Sequence, residues 1–229
     1  MHVRRKIELG MALLLILGAL VLSRKLSDLT ESAGQAEVKK EEARVIVLDP
    51  GHGGEDPGKV GVNDALEKDI NLQIALRVKK KLEEKGFAVV LTREGDSVPD
   101  GKREDMNARV KLINETKPAI AVSIHQNSYT NSSVRGAQVF YHVSSEVSKE
   151  AAQCLQEEFW ALDEENKREI KANDTYFMLK RTEVPTIIVE CGFLSNPEEA
   201  ENLLTEDYQE QISLAICTGI SKWVDKKYK

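Results

Sequence analysis

Cysteine is scarce in this chain of 229 residues: Cys154, Cys191 and Cys217 are the only three, and no two are close in sequence. That excludes a disulfide scaffold and a zinc ribbon, both of which need closely spaced thiols. A basic excess is missing too. The first 43 residues carry a net charge of +1 and the stretch from Arg44 to Lys229 carries −7. Sequence-independent nucleic-acid binding relies on Lys and Arg to neutralise phosphates, so no nucleic-acid partner is expected. Internal repeats and low-complexity tracts are absent, and an apolar fraction of 41% excludes intrinsic disorder and collagen-like chains.

What is present begins with an address. Arg4, Arg5 and Lys6 precede an apolar run from Leu9 to Leu22, which Arg24-Lys25 closes. A basic segment ahead of such a run has the layout of an export signal. No A-x-A cleavage site follows, and the run falls short of the ~20 residues that span a bilayer comfortably. Residues 1–25 therefore read as a signal-anchor in preference to a cleaved signal peptide, with residues 26–43 as a flexible, solvated linker. The body, residues 44–229, is then extracytoplasmic, membrane-anchored or secreted.

The body alternates strands and helices. Val45–Leu48, Phe87–Thr92, Ala119–Ile124, Gly136–Val143 and Thr186–Val189 are apolar, β-branched runs. Between them, Ile70, Ile74, Val78 and Leu82 recur every four residues, ended by Gly86; Met106, Val110 and Ile113 share a second helical face. A long helix starts at Val147 with Ala151, Cys154, Leu155 and Leu162 facing inward, and Ile212, Ile216, Ile220 and Trp223 mark a last one. This order predicts a single α/β domain with a largely parallel sheet and helices on both faces.

Chemistry-bearing residues follow the strands. His52 comes after the first, His125 after Ala119–Ile124 and Glu190 after Thr186–Val189, while Glu67 opens the first helix. In open α/β sheets, ligands bind at the carboxyl ends of the strands. Two imidazoles, one carboxylate ligand and a spare carboxylate suit a catalytic zinc site, in which three protein ligands leave one position open. Gly53 to Lys59 also satisfies G-x-x-x-x-G-K, but Val60 follows where a phosphate-binding loop has Ser or Thr, and Glu55 and Asp56 would repel phosphate.

The strings Leu48-Asp-Pro-Gly-His-Gly-Gly, Glu67-Lys-Asp-Ile-Asn-Leu, Thr92-Arg93, Ser123-Ile-His-Gln-Asn127 and Val189-Glu-Cys-Gly-Phe-Leu-Ser-Asn-Pro197 resemble the zinc-dependent N-acetylmuramoyl-L-alanine amidases of the Amidase_3 family. The resemblance runs from Arg44 to the C-terminus. It implies an α/β fold around a mixed sheet of about six strands, one Zn²⁺ on His52, Glu67 and His125, and Glu190 as the catalytic glutamate. It also implies cleavage of the amide between N-acetylmuramic acid and the L-alanine of the peptidoglycan stem peptide.

Arg109-Val-Lys-Leu-Ile-Asn-Glu115 and Tyr176–Pro185 look most like spore-cortex members, which implies a role in cortex maturation, muramic lactam formation and germination, on the forespore side of a spore-forming bacterium. No long insertion resembles the inhibitory helix of cell-division members, which leaves any gating unexplained, and the sequence does not identify an activating protein. Asn127 is a candidate either to orient a metal ligand or to bind glycan, and Lys180 and Arg181 are candidate contacts to an acidic stem peptide, with a solvated charged turn as the reading favoured for them. Arg93 and Arg109 are expected to hold loops through carboxylate pairing, and His142 to be structural.

Two alternatives accompany this reading. A thiol peptidase would use Cys191 activated by His125, but the adjoining Glu190 would raise the thiol pKa, which favours Cys191 as a small buried hydrophobe. An exported wall-binding module would hold a structural zinc, yet such sites normally have four protein ligands.

Overall fold

The computed structural model describes residues 22–25 and 44–228. Apart from the short helical stretch 22–25, the expected export segment and linker, with His2, lie outside the described residues. Among the described residues no helix is long and apolar enough to cross a membrane.

The body runs β1 (Val45–Pro50), α1 (Glu67–Glu84), β2 (Ala88–Leu91), α2 (Lys102–Thr116), β3 (Ile120–Asn127), β4 (Gln138–His142), α3 (Glu146–Leu162), β5 (Lys171–Asn173), α4 (Phe177–Arg181), β6 (Thr186–Phe193), α5 (Pro197–Asn202) and α6 (Glu206–Lys227). The strands form one six-stranded sheet in the order β2-β1-β3-β6-β4-β5. Every neighbouring pair is parallel except β4 with β6. The expected α/β domain is thus a mixed sheet with one reversed pair.

Strand periodicity divides the core. Ile46 and Leu48 of β1, Ile120, Val122 and Ile124 of β3, and Ile187 and Val189 of β6 meet α1, α3 and α6. On α1 the four-residue repeat of Ile70, Ile74, Val78 and Leu82 is entirely buried, and Gly86 (φ +83°) ends the helix in a conformation that favours glycine. Where α3 crosses α6, a Cβ on Gly219 would come within 2.8 Å of the Leu155 Cα, so only glycine allows that approach. The alternate residues Val47, Ala121, Phe140 and Ile188 face the other way and pack with Ile113 of α2 and with Met178 and Leu179 of α4.

Two strands are longer than expected, and this matters for the site. β3 reaches Asn127 and β6 reaches Phe193, so His125 and Glu190 stand within the sheet, opposite one another in register. The polar side chains end the apolar run but not the backbone ladder. The short elements β5, α4 and α5 were not expected, because three to six residues are too few for a helical or strand period to show.

Candidate metal centre and active site

The site begins with the way the chain leaves β1. Asp49 is almost fully buried and accepts from Thr92 Oγ1 (2.6 Å), Arg109 Nη1 (2.8 Å) and Ser123 Oγ (2.6 Å). Burial pushes its carboxyl up, but Arg109 and the two hydroxyls hold it below the usual carboxylate range. Arg109 also donates to the carbonyls of Pro50 (2.7 Å) and His52 (2.6 Å) and to Asp105 (2.8 Å). Arg93 donates to the carbonyls of Pro50, Gly51, Lys68 and Gly95. Both arginines grip the loop as expected, although Arg93 does so through backbone oxygens and not through carboxylates.

That grip holds His52 at φ +63°, a left-handed conformation uncommon for a side chain of this size. Its Nε2 lies 3.2 Å from Glu67 Oε1, and its Nδ1 lies 3.0 Å from Asp56 Oδ2. Burial acts against the Asp56 charge, yet hydrogen bonds from His52 and from the Gly58 N–H bring its pKa down to about 2.

His125 Nδ1 is 2.9 Å from the same Glu67 Oε1, and the two imidazole rings are 5.0 Å apart in an edge-to-face arrangement. Gly51 lies directly over the His125 ring: a Cβ there would be 2.1 Å from Cε1. Glu67, buried in the first turn of α1, also accepts from the backbone N–H groups of Lys59 (2.7 Å, on Oε2) and Gln126 (3.1 Å, on Oε1). Burial opposes its charge, but the bonds with His125 and His52 prevail and hold it far below the usual range. Asn71, one turn along α1, ties Gly51 O to this cluster and accepts from Gln126 Nε2.

One donor atom from each of His52, Glu67 and His125 lies within 4.8 Å of the others, so this group could hold a metal ion. Two imidazole nitrogens and one carboxylate oxygen form the donor set of a catalytic zinc site, and the residues present fit such an ion.

Glu190 stands beside them on β6. Burial raises its pKa, His125 opposes and Glu67 reinforces the rise, and the balance is about 7. Its Oε2 is buried and has no hydrogen-bond partner among the described residues. The four residues share a cleft of about 260 Å³ whose other wall is Met106, Tyr176, Phe177, Met178 and Ile188. A larger groove of about 450 Å³, between Gly53–Asp56 and Asp96–Asp105, shares no lining residue with this cleft.

The structure therefore brings together His52, Glu67, His125 and Glu190. Asn127, Lys180 and Arg181 do not line the cleft. A register shift separates His125 from Asn127, whose Oδ1 accepts from the next backbone N–H; Lys180 borders a different groove near Pro185; and Arg181 lies over the Phe177 ring. Cys191 belongs to the apolar core on the opposite face from Glu190, and burial drives its thiol pKa well above the ordinary value. No His125–Cys191 pair exists to support thiol catalysis. His142 contacts Ser144 Oγ (2.8 Å) at a distance from the site. Sequence reasoning assigned no role to Asp56, Asn71, Gln126 or the apolar wall; the available signals were Asp56 four residues after His52 and the place of Asn71 and Gln126 inside the family strings around Glu67 and His125.

Comparison with known proteins agrees with this geometry. Residues 46–222 match the N-acetylmuramoyl-L-alanine amidase family model. The chain is 37% identical over 193 residues to the germination-specific N-acetylmuramoyl-L-alanine amidase of Bacillus subtilis (strain 168), covering 80% of this chain and 81% of that one. Among solved structures it resembles the CwlD amidase from Clostridioides difficile in complex with the GerS lipoprotein (39% identity, TM-score 0.78, covering 80% of this chain and 100% of that one). It also resembles the catalytic domain of CwlV, an N-acetylmuramoyl-L-alanine amidase from Bacillus (Paenibacillus) polymyxa var. colistinus (32% identity, TM-score 0.72, covering 80% and 99%). With most of its length matched by the family model and more than a third of residues identical to a curated member over four-fifths of both chains, the chain belongs to the N-acetylmuramoyl-L-alanine amidase family Amidase_3.

Proposed function

We propose that this amidase hydrolyses the lactyl–L-alanine amide of peptidoglycan with one Zn²⁺ held by His52, Glu67 and His125, and with Glu190 as general base and then general acid. The observation that carries the reading is the convergence of two imidazoles and one carboxylate beside a second, separately buried carboxylate. Zinc, when bound, supplies Lewis acidity toward a water and a carbonyl oxygen. The chain's residues do the rest. His52, Glu67 and His125 hold the ion, and Met106, Phe177 and Ile188 present an apolar wall to the amide.

Glu190 takes a proton from the attacking water and passes it to the departing nitrogen. A carboxyl near neutrality suits both transfers, because neither protonation state is far out of reach at pH 7. A cation held beside it favours the carboxylate form, the one needed first.

Metal analysis combined with release of free stem peptide from purified glycan strands tests the assignment. Glu190→Gln should keep zinc and lose about 10²–10⁴ in turnover, whereas His52→Ala and His125→Ala should lose the ion. Full activity in metal-loaded Glu190→Gln would remove that residue from the mechanism.

The germination-specific function of the Bacillus subtilis relative and the spore-type segments support a cortex role, with stem-free muramic acid as the product from which muramic lactam forms. We place the catalytic domain, 44–229, outside the cytoplasm, held at the membrane by residues 1–25 through the linker 26–43. An acidic body gains little attraction to an anionic wall, so such a tether keeps enzyme and substrate together. The complex formed by the Clostridioides difficile relative supports a protein partner here as well. Muropeptide analysis of spores from a deletion strain tests the cortex role; unchanged muramic lactam would refute it.

A further inference from the structure

Asp56 is the carboxylate of the site region that the mechanism above leaves unused. It lies in the loop between β1 and α1, four residues after His52, and its Oδ2 sits 3.0 Å from His52 Nδ1 while His52 Nε2 faces Glu67. Asp56 is itself fixed at three points. Its backbone N–H and C=O both pair with Gly53 at 3.0 Å, and its Oδ1 accepts from the Gly58 N–H at 3.0 Å. Gly58 (φ +68°) completes the enclosure, since a Cβ there would come within 2.7 Å of His52 Cδ2 and 2.6 Å of Glu67 Oε2.

The His52 ring is thus held from both nitrogens, Nε2 by Glu67 and Nδ1 by Asp56. Its two nitrogens are also not equivalent: the one that binds a metal must carry no proton, and the other is then a donor in need of an acceptor.

We propose that Asp56 is a positioning residue for the metal centre: by accepting the Nδ1–H of His52 it fixes the tautomer and ring orientation that turn an unprotonated Nε2 toward Glu67 and His125. This rests on the zinc reading given above and extends it to a residue that touches neither ion nor substrate. Acceptors of this kind on metal-bound histidines commonly account for tenfold to hundredfold in metal affinity.

The carboxylate is needed as such, because it accepts from two donors at once. Asparagine at this position has one acceptor oxygen for His52 and Gly58 together. Its NH₂ group must face one of them, and against His52 it would favour the wrong tautomer. Lys102 Nζ, 3.3 Å from Asp56 Oδ2, is well exposed, so its charge is screened and adds little.

The test is zinc affinity by chelator competition on the metal-free protein, with thermal melts of the metal-free forms alongside. Asp56→Asn and Asp56→Ala should each bind zinc about tenfold to a hundredfold more weakly than the wild type. Glu55→Ala, an exposed change one residue away, should bind it as the wild type does. Asp56→Asn has almost the same volume, so a loop-shape role predicts near-normal affinity for it, and a folded Asp56→Asn or Asp56→Ala protein with wild-type affinity would overturn the proposal. Loss of zinc that merely follows collapse of the metal-free melt would overturn it as well. A wild-type protein that binds no zinc refutes the metal reading itself, which is a distinct result.

Discussion

Arg109→Met removes the one positive charge paired with buried Asp49 and withdraws a donor from the Pro50 and His52 carbonyls. Breaking a buried pair from one side generally costs 3–5 kcal/mol, because the other charge is left without compensation. Thr92 and Ser123 continue to donate to Asp49 in the variant, which places the loss at the lower end, about 3 kcal/mol. For a domain of this size that lowers the melting temperature by roughly 6–12 °C.

The pH dependence has a definite sign. The folded-state pKa of Asp49 lies below the ordinary value of 3.8, so its contribution is fully present above that value and is lost as the pH falls through the folded one. Without Arg109 the carboxyl is raised by burial, and acid lets it take a proton and shed the penalty. The stability gap between wild type and Arg109→Met should therefore be full at pH 7 and shrink on acidification. Urea unfolding across a pH series measures it. A gap below about 1 kcal/mol at neutral pH, or one that stays constant as the pH drops, would refute the reasoning.

Gly51→Ala places a Cβ against the His125 ring, so the imidazole must move; zinc affinity should fall about tenfold or more in a chain that circular dichroism shows to be folded, and normal affinity would contradict the close approach. Cys191→Ala should retain turnover, since the thiol lies in the core behind the sheet, while phenanthroline should abolish it; loss of activity in the folded variant would revive thiol chemistry. Gly219→Ala sets a helix-propensity gain of about 1 kcal/mol against overpacking of 1–3 kcal/mol at the Leu155 backbone, so a net loss of about 1 kcal/mol is expected in chemical denaturation. A stabilised variant would mean that α3 and α6 move apart easily.

Elements with a full period of apolar residues could be read from the chain alone. Ile70, Ile74, Val78 and Leu82 define α1, and β-branched runs define β1, β3 and β6. The convergence of His52, Glu67, His125 and Glu190 was also legible, because each stands near a strand end or at the first turn of a helix, and a parallel sheet aligns those ends. The ladder register was not. A polar residue such as His125 reads as the end of a strand when hydrophobicity is the only guide, yet backbone pairing is indifferent to side-chain polarity. The position of Asn127 outside the cleft was hidden for a related reason: the register shift after His125 breaks the alternation of faces. Lys180 and Arg181 lie on a five-residue helix whose direction no pattern specifies. Asp56 was hidden in a glycine-rich loop, where a carboxylate ordinarily reads as solvated.

The two sides of the sheet are unequally clad: α1, α3 and α6, of 18, 17 and 22 residues, cover one, while the catalytic side has α2 and the five-residue α4. Native-state amide exchange should register this asymmetry, with slower protons in α1, α3 and α6 than in the short α4. Opening that segment would widen the entrance by the side of Tyr176 and Phe177 while β3 and β6 stay protected.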